Sequence, residues 1–415
     1  MTSRNLVLCG CAALCILAAS ARSQDAKGGF VQTRGRELIG PDGRPLLLRG
    51  INLGNWLVPE GYMFKFEKGA TSPGKIEEVI NELIGPEEAA VFWSDYRDSY
   101  ITRDDIRWIK RSGLNSVRVP FHYRLLTNEG SADGWNEDGF AVLQRLVHWC
   151  TEEGIWVILD MHCAPGGQTG DNIDDSWGYP WLLRSPNLQD QTVKIWSQLA
   201  RRFKDEKAVI GYDLLNEPIA AYFDTLSLNR ELEPFYKRIV AGIRMVDSNH
   251  VIFLGGSQWD TNFKIFGPPF DRNLAYTFHR YWTDTTEQEL RQYLDFRDRY
   301  RVPVWMGESG ENSNAWISGF RRMVERDSIG WCFWPYKKAE SKSCLMTFSL
   351  PPGYASIVKF AETDRADFAQ IREAMPDRAL VRRVLHQIIE NCRFENCSVN
   401  EGFVLALGLP PGGIR

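Results

Sequence analysis

The tripeptide Asn216-Glu217-Pro218 ends the apolar run Val209 to Leu215, and Glu308 ends a second run, Pro303 to Gly307. A buried strand delivers its last side chain into whatever cleft lies above the sheet, so two such runs can bring two carboxyls face to face. Cleavage of a glycosidic bond needs that pair, one carboxyl as acid and the other as nucleophile or base. Further strand-like runs end on polar groups: Asn52, Asn55 and Glu60 after the first, Arg118 on the second, His162 on the third, His279 and Tyr281 on the sixth, and Trp334 on the eighth. Glu311 competes with Glu308 as nucleophile but lies beyond the strand end, in a polar turn. Arg118 has a structural alternative as an ion-pair partner of Asp160 or Asp213, which share the inward parity of His162 and Glu217.

Two other chemistries fit poorly. His162 and His279 lack the third ligand that a hydrolytic metal site wants, so no metal and no cofactor is expected. Gly255-Gly256-Ser257 is not the Gly-x-Ser-x-Gly elbow of serine hydrolases.

The elements that must position these residues alternate regularly. Eight β-rich runs, Leu46–Leu53, Ser116–Phe121, Trp156–His162, Val209–Glu217, Val251–Gly256, Leu274–Tyr281, Pro303–Glu308 and Gly330–Tyr336, are separated by amphipathic helical patterns. Ser112-Gly113 and Glu153-Gly154 provide helix stops. Eight strand-helix units predict an α/β fold, a closed (β/α)8 barrel, in preference to an open doubly wound sheet, whose glycine-rich phosphate turn is missing after the first strand. An N-terminal hairpin is expected over Phe30–Leu48, turning at Pro41-Asp42-Gly43-Arg44. Lys75–Tyr100 reads as a helical insertion, and His162–Pro186 as a long loop at the barrel face that builds sites. The expected organisation is a signal peptide over 1–23, the barrel domain over 24–362, and a helical extension over 363–415 packed on the barrel.

With 44% hydrophobic and 25% charged residues over 415 positions, the chain has an ordinary globular composition. A net charge of −4 and the absence of a long basic run give no reason to expect nucleic acid or an anionic membrane as partner. Arg4, the apolar stretch Leu6–Ala19 and Ala19-Ser20-Ala21 read as an export signal, placing the protein outside the cytoplasm, secreted or periplasmic. Of the cysteines beyond that segment, Cys392 and Cys397 lie close enough in sequence for a disulfide, while pairing among Cys150, Cys163, Cys332 and Cys344 cannot be read from spacing. Trp56, Trp177, Trp181, Trp259, Trp282 and Trp334 fall near strand ends or in the loops expected to line the cleft, where indoles can stack on sugar rings or simply pack.

From Phe30 to about Phe360 the sequence resembles glycoside hydrolase family 5. The resemblance is carried by Ile51-Asn52-Leu53-Gly54-Asn55-Trp56-Leu57, Val117-Arg118-Val119-Pro120, Leu159-Asp160-Met161-His162, Leu215-Asn216-Glu217-Pro218, His279-Arg280-Tyr281 and Gly307-Glu308. It implies Glu217 as acid/base, Glu308 as nucleophile, and hydrolysis with retained anomeric configuration, for which the carboxyls stand about 5–5.5 Å apart. It further implies Arg118 and Tyr281 holding Glu308 ionised, Asn216 on the sugar 2-hydroxyl, and Trp334 beneath the sugar. The segments Leu53–Glu60 and His162–Gln168 resemble the exo-acting β-1,3-glucanase branch, where Glu60 would bind the hydroxyls of a terminal glucose. Asn55 departs from the glycine usual there. The implied partners are β-glucan chains or β-glucosides. The alternatives are an endo-β-1,4-glucanase, a glycolipid β-glucosidase meeting a membrane only through its lipid substrate, and a carbohydrate-binding barrel without catalysis.

Overall fold

The computed structural model describes residues 29–128 and 134–411. The expected export signal, with Cys9, Cys11 and Cys15, lies outside them. Eight parallel strands close into a barrel: β1 (Arg49–Asn52), β2 (Ser116–His122), β3 (Trp156–Cys163), β4 (Val209–Asp213), β5 (Val251–Gly255), β6 (Leu274–His279), β7 (Val304–Glu308) and β8 (Gly330–Phe333). Each pairs with its successor, and β8 returns to β1 through Phe333 opposite Ile51. The expected (β/α)8 architecture is therefore the observed one.

Strand alternation sorts the side chains. Along β3, Val157, Leu159 and Met161 pack outward into the large core shared with the helices, whereas Ile158 joins a separate cluster inside the barrel. Asp160 and His162 continue that inward row towards the upper rim. Val31 and Leu38 of the N-terminal hairpin pack into the inner cluster and so plug the barrel floor. The chain reverses twice here: at Gly35-Arg36, between strands Gln32–Arg34 and Glu37–Ile39, which the sequence did not flag, and at the expected Pro41–Arg44, across which Ile39 bridges Pro45 and the Leu46 N–H donates to the Leu38 carbonyl at 2.8 Å. Gly35 supplies the positive φ of 60° that a tight turn needs.

The insertion after β1 is two helices, α1 (Pro73–Ile84) and α2 (Pro86–Tyr100), split by Gly85-Pro86. Helix α3 (Arg103–Arg111) then starts with a capping box between Thr102 and Asp105. Beyond β8, strand Lys337–Ala339 pairs with Met346–Phe348, which pairs on its other edge with the short strand Ser398–Val399, so the C-terminal section, expected to be helical, also adds a strand. Its longest helix, Arg378–Cys392, packs on α1 and α2. Lys337, fully buried, ties these parts together: its Nζ meets Asp105 Oδ1 at 2.9 Å and donates to the carbonyls of Tyr100 at 2.6 Å and Cys392 at 2.9 Å.

The expected disulfide is not formed. Cys392 Sγ donates to the Ile389 carbonyl at 3.2 Å and Cys397 Sγ to the Arg393 carbonyl at 3.2 Å, so each thiol turns to a carbonyl at the helix end instead of to the other sulfur. Among the described residues no helix is long and apolar enough to cross a membrane.

Candidate active site

The barrel's upper rim holds a cavity of about 680 Å³, lined by Glu60, Tyr62, His162, Glu217, Trp259, His279, Tyr281, Trp282, Glu308, Glu311 and Trp334 among others. Two backbone devices bring the carboxyls together. Strand β4 stops at Asp213, four residues short of the expected end, and Glu217 adopts φ +47°, held by its N–H donating to Asp260 Oδ2 at 3.1 Å. Between β6 and β7 the register shifts at Phe278/His279, placing His279 opposite Glu308. One oxygen of Glu217, one of Glu308 and a ring nitrogen of His279 consequently lie within 4.8 Å of one another. That approach suits direct attack by a carboxylate and is too tight for the wider gap that admits a water between the two groups.

Arg118 is the hub beneath this pair, and it is fully buried. Its Nη1 donates to Glu308 Oε1 at 2.5 Å and to Asn52 Oδ1 at 3.2 Å, its Nε to Asp213 Oδ2 at 2.8 Å, and its Nη2 to Asn216 Oδ1 at 2.9 Å, with Asp160 Oδ1 at 3.1 Å. The catalytic-side and structural partners foreseen for Arg118 are thus engaged together. Tyr281 donates to Glu308 Oε2 at 3.0 Å. A cation could span the Glu217-His279-Glu308 triangle by distance, but the Arg118 guanidinium bonded to Glu308 already supplies positive charge beside it.

These contacts separate the two carboxyls electrostatically. Burial lifts Glu217 well above the usual carboxylate range, and the Glu308 charge pushes it further. Burial lifts Glu308 too, but Arg118 and the Tyr281 hydroxyl pull it back, so the proton of the pair resides on Glu217. His279 is driven well below its ordinary value by burial and by the Arg118 charge, and is neutral. Burial, with Arg118, takes His162 down to about 3 against the pull of Glu308. The His162 ring bonds through Nδ1 to Asp160 Oδ2 at 2.8 Å, faces Asn216 Nδ2 at 3.3 Å and stacks on Trp334, with centroids 5.7 Å apart and planes 9° apart.

Glu60 reaches the cavity with its Oε1 buried and bonded to nothing in the protein. Burial, then the Glu308 and Glu311 charges, raise its pKa to about 8. Asn55 carries the turn behind it in a left-handed conformation, φ +62°, and its Oδ1 accepts the Glu60 N–H at 3.0 Å. Asparagine tolerates this conformation nearly as glycine does, which accounts for the departure seen at this position. Gly54 has a different reason: a Cβ there would stand 2.5 Å from the Trp334 ring.

Some tryptophans and some partners lie elsewhere than the sequence suggested. Trp56 is core, its Nε1 bonded to the Arg97 carbonyl at 2.8 Å, and Trp177 and Trp181 stand exposed outside the cavity wall. Asp260 was not foreseen. It follows β5, the strand for which no polar rim residue was picked, and its position after Trp259 was the available signal. Tyr62 was also missed: its hydroxyl accepts Trp334 Nε1 at 2.7 Å and donates to Glu311 Oε1 at 3.2 Å, while Lys338 holds Glu311 at 3.0 Å.

Comparison with known proteins agrees with this geometry. Residues 78–340 match the model of the cellulase family, glycosyl hydrolase family 5. A β-xylosidase of Phanerodontia chrysosporium is 26% identical over 74% of this chain and 71% of its own length. A probable glucan 1,3-β-glucosidase A of Aspergillus niger is 31% identical over 50% of this chain and 48% of its own length. Among solved structures, an endogalactoceramidase superposes with a TM-score of 0.61 at 18% identity, covering 92% of this chain and 86% of that one, which bears on the fold alone.

Proposed function

The chain belongs to the cellulase family, glycosyl hydrolase family 5, and from that premise we propose that this glycoside hydrolase is an exo-acting, retaining β-glucosidase of β-1,3-glucan or a related β-glucoside. The observation that carries the exo reading is the unpartnered Glu60 Oε1 beside the Trp334 platform. A buried carboxyl with no protein partner is satisfied by sugar hydroxyls, and a hydrogen-bonding wall of this kind favours a chain end over an internal residue. The likeness to a protein named as a glucan 1,3-β-glucosidase supports the same choice.

In the first step a Glu308 oxygen attacks the anomeric carbon while Glu217 gives its proton to the glycosidic oxygen, and the leaving group departs as an alcohol. In the second step Glu217, now ionised, takes a proton from water, whose oxygen attacks the same carbon and releases Glu308. Arg118 and Tyr281 hold the nucleophile ionised and oriented; Asn216, fixed by Arg118, faces the sugar 2-hydroxyl. Export through the N-terminal segment is part of this proposal, read from Arg4, the apolar stretch Leu6–Ala19 and Ala19-Ser20-Ala21; N-terminal sequencing of the exported protein that finds Met1 in place would overturn it.

The test is product analysis on laminarin, cellulose oligomers and glucosylceramide, with the anomer of the first product read by NMR. Glucose alone, released from laminarin as the β-anomer, supports the reading. Mixed oligomers overturn exo action, and turnover confined to glucosylceramide favours a glycolipid β-glucosidase.

A further inference from the structure

Asp260 is a fully buried carboxyl outside the cavity wall, and among the described residues no arginine or lysine pairs with it. It ends a left-handed turn, Gln258–Asp260, with φ of 50°, 57° and 59°, a conformation that surrounding bonds must hold. Gln258 exchanges hydrogen bonds with Asn229, and the Asn262 N–H closes the turn on the Ser257 carbonyl at 2.9 Å. Strand β5 makes room for the carboxyl at Gly255, where a Cβ would stand 2.1 Å from Asp260 Oδ1.

One oxygen of this carboxyl serves the acid twice. Oδ2 accepts the Glu217 N–H at 3.1 Å and faces His279 Nε2 at 3.4 Å, while the other ring nitrogen, Nδ1, lies 2.9 Å from Glu217 Oε1. His279 Nε2 is buried and makes no hydrogen bond to any other group among the described residues. Catalytic hydrogen bonds are often this long in a free enzyme and tighten in its complexes. Asp260 Oδ1 has no partner either, since the nearby hydroxyls are committed, Tyr236 to the Gly255 carbonyl at 2.9 Å and Tyr293 to the Thr261 carbonyl at 3.0 Å. Burial, with the Asp213 and Glu217 charges, lifts Asp260 well above the usual carboxylate range, so its proton sits on Oδ1 and Oδ2 stays an acceptor.

We propose that Asp260 is the positioning residue that keeps Glu217 an acid: by accepting the hydrogen of His279 Nε2 it fixes the tautomer of the ring and leaves Nδ1 as a bare acceptor for the Glu217 proton. The inference rests on the assignment of Glu217 as acid. A neutral imidazole carries one ring hydrogen, and the bond made by one nitrogen decides the state of the other. A hydrogen free to move to Nδ1 would donate to Glu217 and stabilise its carboxylate, the wrong form for the first step. The same oxygen holds the main chain of Glu217 in its left-handed turn, so the position and the charge of the acid share one anchor. The charged and titratable groups facing the ring, besides Asp260, are Glu217, Glu308 at 3.7 Å, Arg118 and His162; those facing Asp260 are Asp213, Glu217, Arg118, Tyr236 and Tyr293. None of these side chains hydrogen-bonds Nε2, so the choice of tautomer falls to Asp260.

The test reads the ring by heteronuclear NMR and the acid by its pH profile. In the parent near neutral pH, the His279 signal, assigned by its loss in His279→Gln, shows the hydrogen on Nε2; a hydrogen on Nδ1 overturns the proposal without any variant of Asp260. In Asp260→Ala the hydrogen moves to Nδ1 and the alkaline limb of kcat/KM shifts down by about one pH unit. Unactivated β-glucosides then lose on the order of tenfold, while aryl β-glucosides with good leaving groups change by less than about twofold. Asp260→Asn, whose amide oxygen accepts as Oδ2 does, keeps the parent's tautomer, limb and leaving-group dependence. An alkaline limb unmoved in Asp260→Ala overturns the proposal, as does an Asp260→Asn protein that behaves like the alanine variant. A uniform loss across leaving groups marks a purely structural role and overturns it too. Glu217→Ala, measured beside them, keeps the two readings apart: equal losses across leaving groups remove Glu217 as acid, and the place of the His279 hydrogen in Asp260→Ala still shows whether Asp260 sets the ring.

Discussion

His279 Nδ1 lies 2.9 Å from Glu217 Oε1, and its Nε2 faces Asp260 Oδ2 at 3.4 Å. A neutral imidazole has one donor and one acceptor. With the proton of the carboxyl pair on Glu217, Nδ1 accepts it and the ring hydrogen sits on Nε2 towards Asp260. The ring thereby stabilises the protonated form of Glu217. His279→Ala removes that support: the alkaline limb of the kcat/KM profile moves to lower pH and kcat falls on the order of tenfold or more. An alkaline limb left in place would separate His279 from the acid.

Glu308→Ala and Glu308→Gln abolish turnover of aryl β-glucosides, since Glu311 is occupied by Lys338 and Tyr62 and cannot substitute as nucleophile. Glu217→Ala behaves differently. It keeps part of its activity on substrates with good leaving groups and loses on the order of 100-fold or more on unactivated ones. Steady-state kinetics on a leaving-group series reads the contrast, and equal losses across the series count against the acid role.

Tyr62 seats Trp334 by accepting its Nε1–H at 2.7 Å. Tyr62→Phe leaves that buried donor without a partner, a loss of about 1 kcal/mol. The expected outcome is a KM about fivefold higher for the aryl glucoside at a kcat within about twofold of the parent. An unchanged KM shows that Trp334 holds its place without Tyr62.

Lys337, on the strand Lys337–Ala339, and Asp105, on α3, form a fully buried pair. Lys337→Met leaves the Asp105 carboxylate without its cation and destabilises the fold by about 3–5 kcal/mol, measured by urea unfolding. Adding Asp105→Asn recovers part of that loss because the stranded charge is gone.

Glu60, raised to about 8, binds its proton more tightly in the folded protein than in the unfolded chain. A raised folded-state pKa gives stability that is fully present below the unfolded value of 4.5 and is lost as pH rises through about 8. The protein therefore becomes less stable from pH 5 to pH 8. Glu60→Gln, neutral throughout, flattens that decline in a series of thermal melts across the window. An identical slope in the variant assigns the pH dependence to other buried carboxyls such as Asp160 and Asp213, both raised to about 7 by burial.

The barrel and its rim residues were legible because both follow from short-range order. Strand runs such as Trp156–Cys163 alternate inward and outward, and helix stops recur between them, so the strand ends that carry Glu217 and Glu308 could be found without coordinates. The sequence read one residue at a time along each strand also picked out Arg118, His162, His279 and Tyr281 at the rim.

What alternation could not supply was the company each group keeps. Arg118 meets Glu308 across 190 positions, a contact expected from the family resemblance alone, and Trp334 meets Tyr62 across 272, which was not expected; no local period links residues so far apart. The left-handed turns at Glu217 and at Gln258–Asp260 escaped for a related reason: large side chains disfavour positive φ, and only surrounding packing and hydrogen bonds hold them there. The Cys392–Cys397 bridge failed likewise, since closeness in sequence says nothing of where each sulfur points once a helix end offers it a carbonyl. Residue order thus settled the strands, the barrel and which side chains crown it. Folding in three dimensions settled which carboxyl keeps the proton, because that depends on burial and on charges brought near by distant parts of the chain.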